Sequence, residues 1–399
     1  MTTALEARVF GNERRYLEEV LATEFRASSG STMSARLEHA MRSTFGSAHA
    51  VSFVNGTATM HAVLEAIGVR SGDEVIVPPL TMSATAMAVL QANATPVFAD
   101  VDRNTFEVSA QSIEDRITAR TKAIITVALY GLSPDMDPIL AAAANRGIFV
   151  LEDAAQCFLG RYKGRLVGTI GDAASFSFQS SKHVTSGEGG MVITNQHAVA
   201  DGARRVGSLG YAGVSATGGR ISKGEIQHPD YSRHVMMGWN YRMSELCAAV
   251  ALAQVENIVP LVERRMAVAR MFNDAVDGCE WLVPQQTPPD YVNSYWTWAA
   301  RLDHPRLDWD QFRSRFVEAG GDNVYGAWKL TYLEPMFRDR QLLGREAFIS
   351  SARLASYAKG LCPVAEALQP RLVQFKTNYW KLEDAERQAR ILRQIARSS

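Results

Sequence analysis

Several things are scarce in this chain, and each shortage removes a class of function. Its 399 residues include only four cysteines, Cys157, Cys247, Cys279 and Cys362. They are too scattered for the close pairs used in zinc or dithiol chemistry, so no metal site is expected. Free thiols in a reducing compartment are expected instead, with Cys157 as a packing residue. Net charge is also missing: 42 Lys plus Arg balance 42 Asp plus Glu. Nothing therefore draws the whole chain toward nucleic acid or an anionic membrane. No apolar run reaches membrane-spanning length. The opening Met1-Thr2-Thr3-Ala4-Leu5-Glu6-Ala7-Arg8 lacks the basic stretch and apolar core of a signal peptide. A cytoplasmic location is expected. There is no fixed-period repeat and no low-complexity tail, and the length suits two domains of unequal size.

What is present alternates. Strand-like runs at Val51–Val54, Val75–Val77, Pro96–Asp100, Ala123–Leu129 and Ile148–Leu151 are separated by helical patterns at Met60–Ile67, Ala84–Gln91, Ser109–Ile117 and Asp137–Asn145. Such alternation predicts an α/β layer architecture rather than an antiparallel sandwich. Two later strands are expected at Ala173–Phe176 and Met191–Thr194, followed by helices from Glu245 to Val255 and from Val262 to Ala275, with Pro260 as the break. A further strand is expected at Tyr295-Trp296-Thr297-Trp298. The expected division is an approach segment 1–35, a large domain 36–265 and a small α+β domain 266–399.

The chemistry concentrates in two places. Glu152-Asp153-Ala154-Ala155-Gln156 ends an apolar strand, and Ser177-Phe178-Gln179-Ser180-Ser181-Lys182 precedes the turn Gly187-Glu188-Gly189-Gly190. A lysine amine forms an imine with an aldehyde, and a nearby carboxylate keeps a heterocyclic nitrogen protonated. Together they point to pyridoxal 5'-phosphate (PLP). Asn55-Gly56-Thr57-Ala58 opens a helix, where unpaired backbone N–H groups and the helix dipole favour a phosphate.

These motifs, with Gly72-Asp73-Glu74-Val75-Ile76-Val77-Pro78, Asn240-Tyr241-Arg242-Met243 and Cys362-Pro363-Val364-Ala365-Glu366, resemble the DegT/DnrJ/EryC1/StrS aminotransferases in order and spacing. The resemblance implies the fold type I architecture of aspartate aminotransferase: a large α/β/α domain plus a small α+β domain. It also implies that Lys182 carries the cofactor and then moves protons, that Asp153 faces the ring nitrogen, and that Gln156 lies near the ring hydroxyl. Gly56, Thr57, Ala58 and Ser177 would hold the phosphate. Asn240 would reach it from the second subunit of a homodimer. Where the family commonly stacks an aromatic residue on the ring, this chain offers Met82, which can cover it through apolar and sulfur contacts.

The implied reaction is a two-stage transamination. L-Glutamate or L-glutamine would convert the cofactor to pyridoxamine 5'-phosphate, which would then aminate a keto group on a nucleotide-linked sugar. A keto cyclitol or non-nucleotide keto sugar is the alternative acceptor. Candidate substrate residues are His183, Glu188, Arg220, Lys223, Arg233, His234, Trp328, Lys329 and Tyr332; the alternative is a solvated loop for Arg220, Lys223, Arg233 and His234, backbone shaping of the turn for Glu188, and ordinary packing for the rest. Sugar dehydration and non-catalytic PLP binding are the remaining readings. Relatives that dehydrate replace the lysine with histidine, whereas this chain keeps Lys182.

Overall fold

Short apolar segments separated by helices can bury both faces only as the middle layer of a sandwich. The structure, a computed structural model describing residues 7–25, 32–217, 224 and 227–398, has that form. Nine strands lie in the first part of the chain: β1 His49–Phe53, β2 Glu74–Val77, β3 Thr95–Phe98, β4 Thr121–Val127, β5 Phe149–Asp153, β6 Arg161–Tyr162, β7 Arg165–Leu166, β8 Ala173–Ser177 and β9 Gly190–Thr194. Seven of them make one sheet in the order β1-β9-β8-β5-β4-β2-β3. β2, β3, β4, β5 and β8 pair in parallel, and β9 runs antiparallel to both β8 and β1.

Side chains on successive strand residues point to opposite faces, and the core divides accordingly. Val75, Val77, Ile125 and Leu151 pack with the helices α3 Gly56–Ala66, α4 Ala84–Gln91 and α7 His197–Gly207. Ile76, Ile124 and Val150 pack with α5 Ala110–Arg116 and α6 Met136–Ala144. Farther along that second face, Ala174, Phe176 and Ile193 meet α1 Asn12–Ala22, α2 Met33–Phe45 and α8 Glu245–Glu256.

The second sheet, order β10-β12-β14-β13, is built from β10 Leu282–Pro284, β12 Thr297–Leu302, β13 Tyr325–Gly326 and β14 Leu372–Lys376. All its pairings are antiparallel. It packs on α9 Ile258–Val276 around fully buried Trp298. A strand from this half, β11 Tyr291–Val292, crosses back to pair with β6. α9 runs unbroken through 265 and 266, so the expected division there crosses a helix rather than a linker. Among the described residues no single helix is long and apolar enough to cross a membrane. All four cysteines are unpaired.

Two local expectations are corrected. Pro260 does not end a helix; it lies in the first turn of α9, where its missing N–H has no helical acceptor to lose. The break falls at Asn257, and α8 and α9 meet at 67°. Tyr295-Trp296 is not strand: Tyr295 takes a positive φ of 51°, and β12 begins only at Thr297.

Glu152 shows why β5 ends where it does. Buried, it accepts the N–H groups of Gly168, Ile170 and Gly171 at 2.8, 2.7 and 2.7 Å, tying the loop before β8 to the end of β5. Its burial raises the carboxyl pKa, and those three donors oppose the rise. Glu152→Ala strands the three donors, so a loss of about 3 kcal/mol is expected in urea unfolding.

Candidate active site

The residues singled out in the sequence gather at one edge. Asn55–Thr57 follow β1, Leu80–Met82 follow β2, Asp153–Gln156 end β5, and Ser177 ends β8 ahead of Lys182. These are the carboxyl ends of the mutually parallel strands, where open α/β sheets place their ligand crevice.

Close approach of backbone brings the pieces together. Gly190 opens β9 and pairs with Phe53 on one side and Ser177 on the other. A Cβ on Gly190 would stand 2.5 Å from the Asn55 carbonyl oxygen, so only glycine lets β9 pass beneath the start of α3. One on Gly56 would stand 3.1 Å from Ser177 Cβ. The α3 N-terminus and Ser177 are therefore neighbours. The Asn55 side chain caps α3 by accepting the Ala58 N–H at 2.8 Å. Ala58, expected as a phosphate donor, has thus given its N–H to the cap. Those of Gly56 and Thr57 have no acceptor within the helix.

Asp153 is buried. Its Oδ2 accepts the Thr85 hydroxyl at 3.0 Å and its Oδ1 the Ala155 N–H at 3.2 Å. Burial pushes its carboxyl up, and Ala155, Thr85 and the charge of Lys182 oppose that. Lys182 is buried too, with Nζ 4.4 Å from the centroid of the Trp296 ring. Burial lowers its amine to about 8; Asp153 pulls upward and Arg265 downward. Amine and carboxylate feel each other, yet among the described residues they form no direct ion pair. Gln156 is buried beside them, its Oε1 accepting the Tyr130 N–H at 2.9 Å.

Other candidates sit differently. His183 is fully buried, with Nε2 2.9 Å from the Ser294 carbonyl oxygen, and burial holds its ring well below the ordinary pKa. Tyr332 is fully buried, donating its hydroxyl to Glu366 at 2.5 Å. Neither side chain reaches the surface. Glu188 is exposed on its turn, where its carbonyl accepts the Ser186 hydroxyl. Met82 is 51% exposed. Arg233, His234 and Asn240 are exposed on the segment before α8, with His234 Nδ1 2.8 Å from the Leu209 carbonyl oxygen. Trp328 is exposed with its ring 6.0 Å from that of Trp296, and Lys329 beside it is exposed. Arg220 and Lys223 lie outside the described residues. Thr85, Trp296 and Arg265 were not anticipated as site residues. Only the tertiary packing brings Trp296 and Arg265 to Lys182; Thr85 carries a weak signal, a hydroxyl in the first turn of α4.

The family model for the DegT/DnrJ/EryC1/StrS aminotransferases matches residues 10–373. The chain belongs to this aminotransferase family. GDP-perosamine synthase of Escherichia coli O157:H7 is 36% identical over 286 residues, 72% of this chain and 74% of that protein. L-glutamine:2-deoxy-scyllo-inosose aminotransferase of Streptomyces lividus is 39% identical over 266 residues, 66% of this chain and 61% of that one. Among solved structures, an aminotransferase from Psychrobacter cryohalolentis superposes with a TM-score of 0.84 at 26% identity, covering 97% of this chain and 96% of that one.

Three outcomes follow from this geometry. Gly190→Ala should cost about 2 kcal/mol of stability by overpacking, measured by thermal unfolding. The neutral amine is the nucleophile, so the rate at which added PLP generates visible absorbance should rise with pH and level off above about 8. Asp153→Asn removes the charge that raises the amine pKa, so the midpoint should move down.

Proposed function

We propose that this aminotransferase uses PLP and moves an amino group from L-glutamate or L-glutamine to a keto group on a nucleotide-linked sugar. The observation that carries the reading is the buried Lys182 amine beside buried Asp153, with the helix start at Gly56 and Thr57 against Ser177. These donors fit the cofactor. A heterocycle needs a carboxylate for its nitrogen, an amine for its aldehyde and N–H groups for its phosphate, and the strand ends present all three.

When bound, PLP supplies the aldehyde carbon that takes up the amino group and a ring that holds the electrons released at the donor carbon. The protein does the rest. Lys182 Nζ, neutral above about pH 8, would hold the cofactor through its aldehyde carbon and, when not so engaged, would accept and return protons as a general base and acid. Asp153, fixed by Thr85 and Ala155, keeps a proton on the ring nitrogen through its negative charge. The N–H groups of Gly56 and Thr57, with the Thr57 and Ser177 hydroxyls, would hold the phosphate. Gln156, oriented by Tyr130, would lie beside the ring, and Trp296 walls the lysine. Met82 is assigned to the exposed face of the ring.

Asn240 is assigned to the partner subunit's cofactor in a homodimer. Val235, Met236 and Met237 are exposed beside it, Met237 by 76%, an apolar run suited to burial against a second copy. Arg233, His234, Trp328 and Lys329 remain candidates for the acceptor, and their charge and aromatic surface suit a nucleotide-linked sugar. Arg220 and Lys223 keep the same assignment from sequence alone. A keto cyclitol is the second acceptor class, favoured by the 39% identity to the inosose aminotransferase. The division into a large and a small domain near residues 265–266 is likewise part of this reading.

The test is an absorbance titration of PLP-loaded protein with L-glutamate and, separately, with L-glutamine. The visible band should disappear with one donor and return on adding the matching keto sugar. Lys182→Ala should lack the band and lose at least about 1000-fold in turnover. A folded wild type that forms no visible band with PLP would overturn the assignment.

A further inference from the structure

Arg265 is a buried guanidinium that meets no carboxylate among the described residues. It projects from α9, is 1% exposed and among the described residues forms no ion pair. Its four hydrogen-bond partners among those residues are neutral oxygens. Nη1 donates to the Trp296 carbonyl at 2.7 Å and the Thr377 hydroxyl at 3.3 Å; Nη2 donates to the carbonyls of Ser181 and Lys182 at 2.8 and 3.0 Å. Nε has no partner. Burying a cation this way is costly, and a guanidinium without a counter-ion is weak as a stabilising device.

Its position explains what that cost achieves. The acceptors come from three places: the turn that carries Lys182, the entry to β12 at Trp296, and the exit from β14 at Thr377. One planar donor set holds the backbone of the lysine to the element that supplies its aromatic wall. The Trp296 indole N–H reinforces this by donating to the Ser181 carbonyl at 3.0 Å. Arg8 approaches the same turn from the N-terminal segment, donating to the carbonyls of Ser180, Lys182 and His183. Two cations thus crowd one loop.

We infer that Arg265 is a positioning residue for Lys182, fixing the lysine's backbone beneath Trp296 and placing an uncompensated positive charge that keeps its amine ready to shed a proton. The inference rests on the cofactor reading above and deepens it. The charged groups acting on the Lys182 amine are Asp153 from the end of β5, which favours protonation, and Arg265 from α9, which opposes it. Arg8 lies on the carbonyl side of the loop and interacts with Arg265. Adjacent His183 is held neutral by burial. Removing Arg265 leaves Asp153 less opposed, so the amine should hold its proton to higher pH.

The experiment is a pH titration of the visible absorbance of PLP-loaded, full-length protein, in which the Lys182 nitrogen titrates as the imine and feels the same charges as the free amine, wild type against Arg265→Gln, Arg265→Met and Arg265→Lys. Circular dichroism checks folding. In the neutral variants the midpoint should rise by about half a unit or more. Arg265→Lys keeps the charge but not the planar fork. Its midpoint should stay near wild type while kcat falls about tenfold with little change in the donor KM. An unchanged midpoint in folded Gln or Met variants would overturn the inference, as would an equal rise in the Lys variant. If neither neutral variant folds, Arg265→Lys decides: a wild-type kcat overturns the positioning role. Absence of the visible band in wild type would instead sink the cofactor reading.

Discussion

Everything in this molecule answers to one constraint: an amine and a carboxylate are taken out of water at the same edge of a sheet. Lys182 and Asp153 each carry a burial penalty that moves them toward the neutral form, and neither relieves the other through a direct ion pair. Such an arrangement is poor as a structural element. It makes sense where a third group is to be received between them. The carboxylate is steadied by one hydroxyl and one backbone N–H rather than by a full set of donors, which leaves it with acceptor capacity.

The sheet provides the rigidity this needs. Five parallel strands end side by side, so the loops that follow them meet without having to fold back. The antiparallel β9 is the exception that completes the site. By reversing direction it returns the chain from the lysine turn, and its first residue, a glycine, runs so close under Asn55 that α3 and Ser177 become neighbours. The C-terminal half closes the arrangement from another side. Trp296 walls the lysine, and Trp328 lies over Trp296 at the exposed margin. Glu152, adjacent in sequence to Asp153, serves the frame rather than the chemistry, because its three backbone donors face the loop before β8.

The sequence was most legible where the chemistry is local. Val75–Val77 and Ile148–Leu151 are uninterrupted apolar runs because strands covered on both faces have no polar side to show. Gly187-Glu188-Gly189-Gly190 announces a sharp turn, and Asn55 before Gly56-Thr57 announces a helix start. Elsewhere local signals misled. Ala58 looks like one more donor at a helix start, but the residue that marks that start also takes its N–H. His183 and Tyr332 are residue types found in many substrate pockets, and both are core residues here.

Sequence alone determined the strand and helix succession, the family, and the amine and carboxylate on which the cofactor reading rests, because these depend on residue types at short spacing. Tertiary structure decided which side chains surround the amine. Arg265 lies 83 positions from Lys182 and Trp296 lies 115 from Ser181, and no short-range pattern joins them. Their meeting depends on how α9 and β12 pack against the lysine turn. Burial, and with it the basicity of the lysine, is a property of that packing and not of any one residue.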